Sequence, residues 1–261
     1  MILERLLMFC WFIIGAVMGS FYHVVATRLA NDESIVFPGS HCPVCNYYLK
    51  WYENIPILSY IFLKGECSHC HSKIPLSYLV SEIITGLLFM ACFHSFGFSV
   101  KFFIALIFIS SLIIVIISDI EYMIILDEVL IFSSFVIIVI YLFSNGFTKE
   151  GITETMYHIY SGFGAFLAMY SIKILGDKLF KKESLGGGDI KLMFLFGLVI
   201  GFPMAICTIF LATFIAFPVA LIIMFSDKEN IIPFGPFLSI AAILILIVKL
   251  NLTDILNFLV K

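Results

Sequence analysis

Apolar stretches about as long as a membrane-crossing helix recur from one end of this chain to the other. A helix crosses the hydrocarbon layer in about 20 residues, and candidate spans lie at 6–28, 76–96, 100–118, 128–145, 156–176, 189–201, 203–225 and 233–250. With 62% hydrophobic residues, 13% charged and a mean hydropathy of +1.11, the 261-residue chain is far more apolar than a water-soluble domain. The expected fold is an all-α integral membrane protein of about eight transmembrane helices. Leu6 to Met18 could pass for a signal-peptide core ending near Gly15 to Ser20. The similar stretches that follow make it more economical as the first span.

Charge selects an orientation and excludes a partner. Short loops rich in Lys and Arg stay cytoplasmic. With the N-terminus outside, the inner segments hold ten basic residues: Arg28, Lys50, Lys64, Lys73, Lys173, Lys178, Lys181, Lys182, Lys191 and Lys228. Five remain outside: Arg5, Lys101, Lys149, Lys249 and Lys261. The sequence therefore predicts an outside N-terminus and a cytoplasmic segment from about 29 to 75. A net charge of −3, with no block of basic residues among exposed aromatics, argues against nucleic acid.

The cytoplasmic segment is broken by Pro38, Gly39, Pro43, Pro56, Gly65 and Pro75 and contains two knuckles, Cys42-Pro43-Val44-Cys45 and Cys67-Ser68-His69-Cys70. Four thiolates at this spacing can surround one zinc ion tetrahedrally and leave no open position for chemistry, so the metal would be structural. Paired disulfides are the competing reading, disfavoured in a reducing compartment. His41, His69 and His71 read as solvated loop residues rather than ligands. Between the knuckles, the run from Trp51 to Leu63 suits either a membrane interface or a buried face of the loop.

Acids at the edges of hydrophobic spans are costly and so are functional candidates. Asp119 follows an apolar run, with Glu121 and Asp127 soon after; Asp189 follows Gly186, Gly187 and Gly188. Two crossings separate Asp119 from Asp189, which places both on the cytoplasmic face. Two close carboxyls in a poorly hydrated site share a proton, giving one acid and one base for attack of water on a peptide carbonyl. The glycines would permit unusual backbone angles and close approach of an extended substrate. In the bland alternative, Asp189 is only the N-cap of a helix over 190–201.

These residues together resemble the type IV prepilin peptidases. Gly19-Ser20-Phe21 through Arg28-Leu29 is similar to the family's first-span signature, with His23 where Asn is more usual. Trp51 to Pro56 between the knuckles, Gly186-Gly187-Gly188-Asp189-Ile190-Lys191-Leu192, and Ile232-Pro233-Phe234-Gly235-Pro236-Phe237-Leu238 match three further motifs. Asp119 opens a fourth that Asp127 closes, with Leu126 at the usual proline position. The resemblance implies a catalytic pair of Asp119 and Asp189. It also implies a prepilin or pseudopilin substrate with a basic leader and a hydrophobic helix, in the bacterial cytoplasmic membrane. Many members also methylate the new N-terminus with S-adenosylmethionine. The corresponding organisation is a first transmembrane helix over 1–28, a cytoplasmic tetracysteine domain over 29–75 and a transmembrane peptidase domain over 76–261.

Glu82 is expected either to face a polar cavity or to pair with Lys73 or Arg28, and Lys191 to anchor its loop or a phospholipid headgroup. Two competing functions use the same residues. An ion-coupled transporter would relay protons through Glu82, Asp119 and Asp189, but no inverted repeat is legible. An assembly scaffold would use the cysteine segment and leave the Gly-Gly-Gly-Asp turn without a task.

Overall fold

The computed structural model of the protein describes residues 2–182, 185–225 and 232–250. Lys228 and Lys261 of the charge count lie outside the described residues. The chain divides into two compact units, Met1–Phe98 and Ser99–Lys261. Among the described residues, six helices are long and apolar enough to cross a membrane.

In the first unit, α1 (Ile2–Ala30) packs along α3 (Leu76–Phe96). Glycine makes the seam: a Cβ on Gly15 would stand 2.7 Å from the Thr85 carbonyl oxygen, and one on Gly19 2.8 Å from that of Ser81. Such close backbone approach is how apolar helices gain packing where lipid gives no hydrophobic drive. Between these helices lie a single 3-10 turn, Trp51–Asn54, and the short α2 (Leu58–Phe62). Among the described residues there is no strand, only the isolated bridges His41 to Tyr48 and Glu66 to Lys73.

In the second unit, α4 (Val100–Tyr122) is the most enclosed of the six long helices, with Phe102, Phe108, Ile109 and Leu112 fully buried. Ser99 caps it by accepting the Phe102 amide. Around it stand α5 (Asp127–Asn145), α7 (Gly187–Ile200) and α9 (Gly235–Val248). The 32-residue α6 (Lys149–Phe180) lies against α7, and α8 (Phe202–Met224) against α9. Gly201, at a φ of 83°, turns the chain from α7 into α8, so Pro203 marks a helix start rather than a kink. The eight expected spans correspond to α1 and α3 through α9, but α7 and α9 have only 14 residues each. At 1.5 Å per residue that is about 21 Å, short of the roughly 30 Å hydrocarbon core.

Candidate active site and metal centre

The short helices matter because their N-termini adjoin the two acids. Asp119 lies in the last turn of α4, whose end is set by Met123 in the left-handed conformation with its amide on the Asp119 carbonyl. Asp189 lies in the first turn of α7. The helix begins at Gly187 with Gly186 as N-cap, so Asp189 is not itself the cap; its carboxyl instead accepts the Gly186 amide. Both aspartates are 7% exposed, and they lie within electrostatic reach of each other. Oδ1 of Asp189 is buried without a hydrogen-bond partner among the described residues.

Ile125 fills the space beside them. A Cβ on Gly188 would come to 2.7 Å from its Cβ, and one on Gly235 to 3.1 Å from its Cδ1. A Cβ on Gly235 would also meet Asp119 Oδ2 at 2.5 Å, and the Gly235 amide donates to the Asp119 carboxyl. The glycine run therefore serves differently from expectation. Gly186 has an ordinary φ of −65°, and none of the three has a positive φ; Gly188 is needed for close approach, while a Cβ on Gly187 would touch nothing within 4 Å. Leu126 adopts a φ of −75° and is 4% exposed, so the turn keeps a proline-compatible backbone held by burial. Lys191 anchors the same region from α7, with Nζ 2.5 Å from Asp127 Oδ2. The Gly235 contact was missed by sequence reasoning; the Phe234-Gly235-Pro236 motif was the signal available for it.

In the first unit the four cysteine sulfurs lie within 4.8 Å of one another. Cys42 and Cys70 are 3.8 Å apart and Cys45 and Cys67 4.0 Å, close to the edge of roughly 3.8 Å that Zn–S bonds of about 2.3 Å give a tetrahedron. All four are free thiols. The two knuckles repeat one local fold. Asn46 and His71 take left-handed φ of 55° and 58°, donate to the carbonyls of Cys42 and Cys67, and are followed by Tyr47 and Ser72, which close each turn. The Cys45 amide draws the Cys42 thiol down to about 6. Cys45, although the Tyr47 amide favours its thiolate, is pushed up to about 12 by desolvation and by the neighbouring sulfurs. Crowded thiols that cannot all ionise alone are the donor set a divalent cation completes. The cluster could thus bind zinc. His41, His69 and His71 stay outside it; His69 stacks on Tyr47 with ring centres 5.2 Å apart.

Glu53 ties the intervening segment to this cluster. The Ser68 hydroxyl, together with the Lys50 amide at 2.7 Å, holds its carboxyl below the usual range. Trp51 and Phe62 are each 80% exposed, which favours the interfacial reading over a buried face. Glu82 accepts the Ile57 amide at 2.7 Å and a bond from the Ser20 side chain, rather than pairing with Lys73 or Arg28.

A multi-pass helical membrane protein with two buried aspartates at converging helix ends is the class these features define. Residues 13–96 match the bacterial peptidase A24 N-terminal domain, and residues 106–221 the type IV leader peptidase family. A prepilin leader peptidase/N-methyltransferase of Bacillus subtilis is 33% identical over 237 residues, 89% of this chain and 91% of the relative. One of Vibrio cholerae is 30% identical over 257 residues, 93% of this chain and 97% of the relative. Another, of Myxococcus xanthus, is 34% identical over 186 residues, 71% of this chain and 54% of the relative. No solved structure matches. The chain belongs to the type IV leader peptidase family and is a multi-pass inner-membrane protein.

Proposed function

We propose that this protein removes the leader of type IV prepilins or pseudopilins at the cytoplasmic face of the membrane, with Asp119 and Asp189 as its catalytic pair. The observation that carries this reading is the approach of two buried carboxyls from α4 and α7 at helix ends. Two such groups hold one proton between them. The ionised member takes a proton from water as the water oxygen bonds the scissile carbonyl carbon; the protonated member supports the developing oxyanion. Gly186 and Gly187, which leave open backbone before Asp189, would line the extended substrate, and Gly188 would keep that backbone close to Ile125.

Cys42, Cys45, Cys67 and Cys70 would hold a structural zinc that folds residues 29–75. The distribution of basic residues supports an outside N-terminus with this segment and both aspartates inside. The remaining spans, from residue 76, form the peptidase part. Methylation of the new N-terminus would accompany cleavage, with S-adenosylmethionine supplying the methyl group. The cavity of about 530 Å³ between α4 and α5 is apolar, lined by Phe103, Ile107, Val139 and Ile140, and offers that group no charged side chain. A proton-relay transporter accounts less well for Glu82, whose carboxyl is engaged by the Ile57 amide.

The test is incubation of purified protein with a prepilin, with and without S-adenosylmethionine, followed by mass spectrometry. Leader loss gives cleavage and a methyl gain gives transfer. Asp119→Asn and Asp189→Asn should each abolish cleavage while the protein still inserts; normal processing by either removes the dyad.

A further inference from the structure

We infer that the N-terminus of α9, acting through the Gly235 amide, is a third component of the site: it positions Asp119 as the base and leaves Asp189 to carry the transferable proton. This rests on the protease reading above. The first turn of α9 has few amides to give. Pro236 has none, and the amides of Phe237 and Leu238 turn back to the Phe234 carbonyl at 3.1 Å each. The Gly235 amide is left to donate to the Asp119 carboxyl, at the positive end of the helix. A donor aimed at a carboxylate stabilises its anion. The contact is also sterically set, since any side chain at this position would put Cβ 2.5 Å from Asp119 Oδ2 and 3.4 Å from its Cγ.

Asp189 also sits at a helix N-terminus and accepts the Gly186 amide, so the dipole alone does not separate the two acids. The separation lies in Oδ1 of Asp189, buried and without a hydrogen-bond partner among the described residues. A buried carboxylate oxygen lacking a donor carries charge poorly. It is the better place for the shared proton.

The reaction then balances. As the water oxygen bonds the carbonyl carbon, one water proton passes to Asp119 and the Asp189 proton to the carbonyl oxygen, giving a neutral gem-diol. When the C–N bond breaks, Asp119 returns its proton to the departing amine. A hydroxyl of the diol returns a proton to Asp189, leaving the carboxylic acid of the leader.

The experiment compares Gly235→Ala, Ile125→Ala and the double variant in steady-state cleavage of a prepilin. Gly235→Ala should lower kcat on the order of 100-fold with little change in KM, as expected when an acid–base group is displaced. Ile125→Ala removes the other atom crowding position 235, so the double variant separates the two contacts. If it stays as impaired as Gly235→Ala, the Asp119 contact is decisive; recovery to the Ile125→Ala rate would show mere packing and overturn the inference. Wild-type kcat in Gly235→Ala overturns it as well. Failure of Asp119→Asn or Asp189→Asn to block cleavage would instead remove the protease reading itself.

Chemical labelling of the wild-type protein tests the roles directly. An epoxide is opened by a carboxylate anion to a hydroxyalkyl ester, whereas a diazoacetyl ester takes a proton from a carboxylic acid, loses dinitrogen and esterifies it. Peptide mapping should find the epoxide on Asp119 and the diazo product on Asp189. The reverse pattern overturns the assignment.

Discussion

Lys191 on α7 and Asp127 on α5 form an ion pair that ties the segments following the two candidate catalytic aspartates, Nζ to Oδ2 at 2.5 Å. Both side chains are about half exposed, at 51% and 48%. Exposed pairs contribute about 0–1 kcal/mol. Lys191→Met should therefore shift thermal unfolding in detergent by only a few degrees. Exchanging the charges, Asp127→Lys with Lys191→Asp, should restore the single variants in both unfolding and cleavage rate.

Glu82 and Ile57 offer a sharper contrast. Ile57 has a φ of 65°, a conformation β-branched residues strongly avoid, and its amide is held by Glu82 Oε2. Glu82→Gln keeps an acceptor and should be mild. Glu82→Leu strands the amide and should cost about 1–3 kcal/mol in unfolding measurements. Ile57→Gly relieves strain of about 1–3 kcal/mol at an entropic cost of about 0.5–1 kcal/mol, so it should be neutral or stabilising, unlike most substitutions to glycine.

Elemental analysis of purified protein should find about one zinc per chain, as a single tetracysteine site requires. Removing it with a chelator, or replacing Cys67 by Ser, should expose residues 31–75 to limited proteolysis. Acidification should release the metal, because its thiolate ligands take up protons. A metal-free preparation with an intact segment would rule out the structural zinc.

Leu126→Pro should be tolerated. The φ of −75° fits the ring, and the loss of a buried aliphatic side chain is partly offset by about 0.4–1 kcal/mol from a stiffer unfolded chain. Circular dichroism melting and the cleavage rate should both stay near wild type.

What the sequence made legible was local or periodic. The knuckles are fixed by spacing within four residues, and their sulfurs do converge. The helices follow from hydropathy, although α4 runs on to Tyr122 and so places Asp119 inside its last turn. The illegible parts depend on which helix faces which. Nothing local to Gly235 says that its missing side chain makes room for Asp119, and nothing local to Glu82 selects Ile57 as partner. The glycines before Asp189 were expected to permit unusual angles and close approach of a substrate; none of the three has a positive φ, and Gly188 is the one crowded, by Ile125.

Helix α6 has a consequence for the surroundings of the site. Its 32 residues make a rod of about 48 Å, against an oily layer of roughly 30 Å. Such a rod must lean or overhang. Its last turn and its cap carry Lys178 and Lys181, so an overhang at that end would set two cations at the depth of anionic headgroups.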